Sequence, residues 1–424
     1  MTPWKHAWTA AFALVIVHCG GGGSDNNSVP DASTGGAAGG GSNDGAAPST
    51  DGGATTDGGG PQDGGGSCTT TITAVVNDAT GTYPLPNAKV YVPVGAVPPF
   101  IHGPGSCGVI GSTVGGVQKT GPDGRTTLSV NAAAPFDVVA EIGKWRVTQR
   151  VTTLCGNTPL KLVLPTSASQ GELPKIAVAT GQGDSLECSL HRMGLDNAVT
   201  VFHGTGGASA SAPAATTLWA SLSTLHPYDT VLLSCEQAET AGAVPQALHD
   251  YVAAGGYAFA EHYGYSWFNV APFSGEDIAT WTAGPQNLTG TTSALFGAAD
   301  PQRTWLDSTA VNGLTALHEL TLLNADNNIA TVGAAGTISL NANASASVPN
   351  APLLLSWGEP VGAALGRIVY ADFHIGSASG DYGLSAGQLG VPPGSVYPTG
   401  CVNKPLTPAE KAFMYTLYEE LSCP

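Results

Sequence analysis

The chain has 424 residues and a formal net charge of −17, with only 14 Lys and Arg residues. A chain with so few cations lacks the basic surface from which nucleic acids release counterions, so we expect no nucleic-acid partner. The length is sufficient for two domains and a tail.

The first 18 residues have the pattern of a signal peptide. Lys5 precedes the apolar run AWTAAFALVIV, which is too short to span a bilayer. Cys19 and four glycines come next, and this order resembles a bacterial lipoprotein signal, although that family has a small residue where this chain has His18. The resemblance implies acylation at Cys19 and an extracytoplasmic protein anchored by lipid to the envelope, at the outer membrane or cell surface. Ordinary secretion and an uncleaved anchor remain open.

Residues 19–67 are predicted to form a disordered linker. After Cys19 the segment is rich in Gly and Asp and contains no Lys, Arg or Glu. Such a composition cannot bury enough apolar surface to offset the entropy lost on ordering. The segment would act as a tether for the folded part.

Seven cysteines remain after Cys19, and in an exported protein they indicate disulfides more than metal ligands, with one left over. No C-x-x-C pair is present. The spacing groups three cysteines in one domain, two in a second, and two as a C-terminal staple. These groups are Cys68, Cys107 and Cys155; Cys188 and Cys235; and Cys401 and Cys423.

Residues 68–165 are predicted to form a small all-β sandwich. Runs such as TTTITAVVND and FDVVAEIG alternate and are separated by Gly, Pro, Asn and Asp turns. The segments PLPNAKVYV and KTGPDGRTTLSV resemble the carboxypeptidase regulatory-like, or transthyretin-like, sandwich. That resemblance implies a binding or spacer module.

Residues 172–424 are predicted to be an α/β domain. The apolar runs KIAVATG, AVTVFHG, YDTVLLSCE and YAFAEHY alternate with helical segments such as PQALHDYVAAGG, and RIVYADFHIG follows later. Thr407, Pro408 and Glu410 form the start of a C-terminal helix with a capping box. The pattern predicts a mostly parallel, flavodoxin-like sheet flanked by helices. No motif is recognisable between residues 270 and 345.

Polar residues follow several of these strands, and open parallel sheets bind ligands beyond the carboxyl ends of their strands. The segments YDTVLLSC, AAGGYAFAEHY and GRIVYADFHIG also resemble the class I glutamine amidotransferase-like fold, in particular its ThuA-like branch. In that branch two strands end in histidines, which match His262 and His374. The nucleophilic cysteine that the amidotransferases carry after the fourth strand is absent, which argues against thiolate amidotransfer.

We therefore expect His262 and His374 to be the central site residues, either as acid–base groups or as ligands of a divalent metal. Strand alternation points Glu261 and His262 to opposite faces unless the strand breaks, and places Asp372 and His374 on one face. Aromatic rings here could stack on a sugar. The further ligand-binding candidates are Glu236, Glu261, Tyr263, Tyr265, Trp267 and Asp372.

The sequence indicates a cell-envelope lipoprotein whose diverged α/β domain binds a ligand, which could be a carbohydrate, with no cofactor required. Two alternatives stay open. One is a metal-assisted or acid–base enzyme acting on sugars through His262 and His374. The other is a structural envelope protein without a working site.

Overall fold

The computed structural model describes residues 68–207, 211–239, 245–363, 365–376, 397, 401 and 404–423. The expected signal peptide, residues 1–18, and the expected linker, residues 19–67, therefore lie outside the described residues. Residues 64–424 form one compact unit. None of the helices in the described ranges has the length and hydrophobicity needed to cross a membrane.

The first 96 or so described residues fold into two small sheets, with strand orders β4-β1-β7 and β3-β2-β5-β6. In β1, Ile72, Ala74 and Val76 are buried while the intervening residues are less so, because alternate side chains point to opposite faces. Buried residues from both sheets share one hydrophobic core. The strands are β1 (Cys68–Asn77), β2 (Lys89–Pro93), β3 (Thr113–Lys119), β4 (Arg125–Ala132), β5 (Phe136–Ile142), β6 (Trp145–Val151) and β7 (Gly156–Val163).

The remaining residues build a nine-stranded sheet of order β14-β13-β16-β17-β18-β11-β10-β8-β9 and a small β12-β15 pair. The strands are β8 (Ile176–Ala179), β9 (Val199–Phe202), β10 (Thr230–Leu233), β11 (Tyr257–Glu261), β12 (Ala279–Trp281), β13 (Thr292–Phe296), β14 (Leu320–Leu322), β15 (Ile329–Val332), β16 (Thr337–Ala342), β17 (Pro352–Glu359) and β18 (Gly366–Ala371). The helices are α1 (Leu186–Arg192), α2 (Ala215–Leu218), α3 (Leu222–Leu225), α4 (Pro245–Ala253), α5 (Pro301–Leu306) and α6 (Pro408–Tyr415).

The expectation of a mostly parallel, flavodoxin-like sheet flanked by helices is wrong. Strands account for 34% of the described residues and helices for only 16%. Strands β18, β11, β10, β8 and β9 do run parallel. However, β17, β16, β13 and β14 extend the same sheet by antiparallel pairing. Much of this antiparallel half comes from the region that carried no recognisable motif, and local sequence does not specify strand direction.

A buried charge cluster joins the first two sheets to the large one. Asp229, just before β10, accepts hydrogen bonds from Lys144 Nζ at 2.5 Å and from the backbone N–H groups of Gly103 and Lys175. The Asp229 and Lys144 side chains are 6% and 5% exposed. Because Lys144 lies in the turn between β5 and β6, this ion pair connects one of the small sheets to the start of β10 in the large sheet.

Three disulfides cross-link the described residues, which is typical of proteins from oxidising, extracytoplasmic compartments. The expected grouping of Cys188 with Cys235 and the expected Cys401–Cys423 staple are wrong, because the C-terminal residues return to two distant parts of the chain. Cys235 is buried and free. The pairs are Cys68–Cys155, Cys107–Cys423 and Cys188–Cys401.

Helix α6 begins as predicted, with Thr407 as its N-cap, Pro408 as its first residue and Glu410 in a capping box. Thr407 Oγ1 accepts a hydrogen bond from the Glu410 backbone N–H at 3.2 Å, and the Glu410 carboxylate accepts one from the Thr407 N–H at 2.8 Å. Glu410 is fully buried and also pairs with the guanidinium of Arg192 in α1. The capping box thus also links the two helices.

Replacing Asp229 by Ala should lower the free energy of unfolding by about 3–5 kcal/mol, because it leaves the Lys144 ammonium buried without its counter-charge. Chemical denaturation measures this loss. The matched control is Asp137→Ala, which breaks an exposed pair with Arg150 and should cost at most about 1 kcal/mol. Equal losses for the two variants would contradict the role of the buried pair.

Candidate functional site

Side chains from three strand ends converge at one edge of the large sheet. Cys235 comes two residues after β10, His262 directly follows β11, and His374 comes three residues after β18. These strands are parallel neighbours, so their carboxyl ends meet at the same edge. Cys235 Sγ lies 3.1 Å from His262 Nδ1, and His374 Nε2 lies 2.9 Å from the same nitrogen. Both predicted central histidines are thus brought together, with a thiol beside them.

The backbone at His262 breaks the strand. Its φ is +44°, a conformation that is uncommon for residues other than glycine, and a 3-10 turn begins there. The His262 carbonyl oxygen accepts a hydrogen bond from the Tyr370 hydroxyl at 2.7 Å, and the ring of Tyr263 lies 4.0 Å from the imidazole, centroid to centroid. The imidazole is only 5% exposed. Its position is therefore fixed by the backbone turn and by packing on both sides.

Asp326, like Cys235, is a site residue that was not predicted from the sequence. Its Oδ2 lies 2.9 Å from His262 Nε2, an ion-pair distance without linear hydrogen-bond geometry, and its side chain is 1% exposed. The Asp326 N–H donates to the Asp372 carbonyl at 2.8 Å, and the His374 N–H donates to the Asn324 carbonyl at 3.0 Å. Residues 324–326 are thereby bound alongside residues 372–374. The polar run NADNN after the apolar TLL was the available sequence signal.

Burial sets the protonation of this cluster. It raises the pKa of the Cys235 thiol, and the nearby carboxyl of Glu261 raises it further. Burial also lowers the pKa of His374 to about 4, with His262 adding to the decrease. At neutral pH the cluster therefore holds a protonated thiol and a neutral His374 imidazole.

The Glu261 carboxyl is bound by donors at the neighbouring strand ends and not by His262. Its Oε1 accepts hydrogen bonds from the Ser234 hydroxyl at 3.1 Å and the Cys235 N–H at 3.2 Å, and its Oε2 accepts one from the Ile375 N–H at 3.2 Å. Burial, and then the neighbouring Asp184, raise the pKa of Glu261 well above its ordinary value. Glu261 thus ties together the ends of three strands.

Two other predicted site residues support the fold around the cluster. Asp372 accepts hydrogen bonds from the backbone N–H groups of Asn328 at 2.7 Å and Ile329 at 3.1 Å, so it anchors the segment that carries Asp326. Tyr265 is fully buried, and its hydroxyl donates to Glu239. Neither side chain is placed to contact a ligand at the His262–His374 pair.

The other three predicted ligand-binding residues, Glu236, Tyr263 and Trp267, line a narrow pocket beside the cluster. Trp219 also lines it and packs edge-on against Trp267, with 5.0 Å between ring centroids. Glu236 Oε1 accepts a hydrogen bond from the Thr205 N–H at 3.0 Å. Tyr263 separates this pocket from the His262 ring.

The Cys235 thiol contacts the His262 imidazole, which in turn contacts the Asp326 carboxylate. This is the order of groups in a nucleophilic triad. A working thiol nucleophile, however, requires a lowered pKa and access to the substrate. Cys235 has a raised pKa and is fully buried. The arrangement of two imidazoles and one thiol around a single point suits a metal ion better.

No protein-family model matches the chain, and no curated protein matches it. Eight chains of known structure match. One is the mmIFT52 N-terminal domain, at 12% identity and a TM-score of 0.31, covering 47% of this chain and 86% of that one. Another is the exo-beta-1,4-mannosidase Op5Man5 from Opitutaceae bacterium strain TAV5, at 12% identity and a TM-score of 0.25, covering 49% of this chain and 32% of that one. These similarities are too weak to bear on function.

The native protein should resist alkylation of Cys235 by iodoacetamide at pH 8, because the thiol is buried and its pKa is raised. The same residue should react rapidly once the chain is unfolded in guanidinium. Peptide mapping by mass spectrometry distinguishes Cys235 from every other cysteine. Alkylation of the native protein at the rate of a free cysteine would show that Cys235 is an accessible thiolate.

Proposed function

We propose that this protein binds a divalent transition metal, zinc in the first place, through Cys235, His262 and His374, and uses the adjacent pocket to bind a small polar ligand. The observation that carries the proposal is the convergence of the three ligand atoms within 4.8 Å of one another, each from a different strand end. Imidazole nitrogen and thiolate sulfur are the donors that zinc prefers in proteins.

The hydrogen bonding of the cluster supports a metal at its centre. With Asp326 facing Nε2 of His262, the ring proton belongs on Nε2, and Nδ1 offers one lone pair. That lone pair faces both Cys235 Sγ and His374 Nε2, so it can form a hydrogen bond with only one of these two atoms. A metal ion removes this conflict, because all three atoms can bind it at once.

A bound ion also explains why a thiol with a raised pKa is placed here. A coordinating thiol loses its proton, and the cation compensates the charge that burial would otherwise disfavour. Asp326 behind His262 matches the carboxylate–histidine–metal arrangement, in which the carboxylate orients the ring and increases its basicity.

The distances fit zinc after a small adjustment. Zinc–nitrogen bonds of about 2.0–2.1 Å and zinc–sulfur bonds of about 2.3 Å correspond to tetrahedral ligand separations of about 3.3–3.6 Å. The observed separations of 2.9 and 3.1 Å are those of hydrogen bonds. These two pairs need to move apart by a few tenths of an ångström, and the third pair, Cys235 Sγ and His374 Nε2, lies within 4.8 Å.

The narrow neighbouring pocket presents the two kinds of group with which proteins contact a carbohydrate. Trp219, Tyr263 and Trp267 supply aromatic surface, and Glu236 supplies a carboxylate acceptor. Tyr263 borders both the pocket and the His262 ring, so ligand binding and metal binding would share one side chain.

A metal-assisted enzyme is the second candidate. Three protein ligands leave one zinc coordination position for water, which is the arrangement of catalytic rather than structural zinc sites. In this function His262 and His374 hold the ion instead of acting as the acid–base pair considered from the sequence.

We also propose that the folded part is tethered to the envelope by a lipid on Cys19. The support is the order of signals at the N-terminus: an apolar run of 11 residues, a cysteine and a long Gly-rich segment. The three disulfides agree with export.

Cobalt(II) titration tests the metal centre. We expect a thiolate-to-cobalt charge-transfer band that disappears in Cys235→Ser and in His374→Ala, since each removes one ligand. Asp326→Asn should keep the band and weaken binding about 10- to 100-fold. The matched control is His318→Ala, because His318 pairs with Asp307 on the surface, away from the cluster. An unchanged band in Cys235→Ser would exclude the centre.

Metabolic labelling with a radioactive fatty acid tests the tether. The full chain expressed in a bacterial host should incorporate label and fractionate with membranes, and Cys19→Ala should abolish both while leaving the folded part intact. Unlabelled protein in the soluble extracytoplasmic fraction would favour ordinary secretion instead.

A further inference from the structure

A second cluster of metal-ligating side chains lies outside the strand-end site. His249 is on α4, Glu276 follows the 3-10 turn Phe273–Gly275, and Glu359 is the last residue of β17. His249 Nε2 lies 3.0 Å from Glu276 Oε1 and 3.3 Å from Glu359 Oε1. One imidazole nitrogen thus faces two carboxylates, with all ligand atoms within 4.8 Å of one another.

This cluster is at the opposite edge of the large sheet from Cys235, His262 and His374. Glu359 pairs with Gly366, the first residue of β18, whereas His374 comes after the last residue of that strand. The two clusters therefore share no ligand and can be removed separately by mutation.

The charges of the cluster are not balanced. Among the residues that the structure describes, Glu276 and Glu359 form ion pairs with no Lys or Arg, only with His249. Glu359 is fully buried, and neither of its oxygens has a donor in hydrogen-bonding geometry. A buried carboxylate in this position is costly unless a cation is beside it.

We propose that His249, Glu276 and Glu359 bind a second divalent transition metal ion, zinc or manganese, in a structural site. One imidazole nitrogen and carboxylate oxygens are donors that both ions accept, whereas calcium selects oxygen ligands alone. The fully buried and otherwise unsatisfied Glu359 carboxylate provides the negative charge that the ion neutralises.

The surroundings of His249 agree with a ligand role. The ring packs edge-on against Phe273, with 5.2 Å between centroids, which restricts its rotation. Its second nitrogen, Nδ1, lies 3.6 Å from Asp250 Oδ1, which is too far for a hydrogen bond.

A metal here would connect three elements that are distant in sequence. Helix α4 leads into β11 and so to His262, and residues 262–276 connect His262 to Glu276. The ion would fix the Glu276 end of this segment, whereas the strand-end cluster holds its His262 end. The second site would thus stiffen the scaffold of the first.

Native mass spectrometry of the zinc-loaded protein tests the proposal. We expect two zinc ions per chain in the wild type, one in Glu359→Gln, one in His374→Ala, and none in the double variant. His318→Ala, the surface control, should keep two. A count of one in the wild type that falls to zero in His374→Ala would overturn the second site and leave the first intact.

Stability measurements in the His374→Ala background provide an independent test. Zinc should raise the unfolding midpoint of this variant, and Glu276→Gln in the same background should abolish the increase. Glu276 is partly exposed, so this substitution should not prevent folding. An equal zinc-dependent increase with and without Glu276→Gln would contradict the assignment.

Discussion

The imidazole of His262 is held between a buried carboxylate on one nitrogen and a thiol plus a second imidazole on the other. This placement depends on the parallel pairing of β10, β11 and β18, which brings three strand ends to one edge. It also depends on the left-handed turn at residue 262, which ends the strand just as the edge is reached. The donors assembled there favour a soft or borderline divalent ion.

The antiparallel half of the sheet contributes directly to this arrangement. The chain between β14 and β15 carries Asp326 and is bound to residues 372–374 by backbone hydrogen bonds. Asp372, fully buried, accepts two further backbone N–H groups from the same segment. The region without sequence motifs therefore completes the site instead of covering it, and the pocket lined by Trp219 and Trp267 stays partly open.

His262 and His374 could be predicted as site residues from the sequence, because ligands bind beyond the carboxyl ends of the strands in a parallel sheet. The parallel strands themselves were recognisable from their apolar runs. It could not place Cys235 or Asp326, since each meets His262 only through tertiary pairing. It also gave no sign of strand direction in β13, β16 and β17, and this led to the wrong fold class. The predicted disulfide grouping was wrong because the pairing also depends on tertiary structure: Cys107 and Cys423 are bonded although 316 residues separate them in sequence.

X-ray absorption at the zinc edge tests the central claim most directly, using the Glu359→Gln variant loaded with one equivalent of zinc so that only the strand-end centre is occupied. The account predicts one sulfur ligand at about 2.3 Å and two imidazole nitrogens at about 2.0–2.1 Å. A first shell made only of nitrogen and oxygen ligands would contradict coordination by Cys235, and with it the proposed centre.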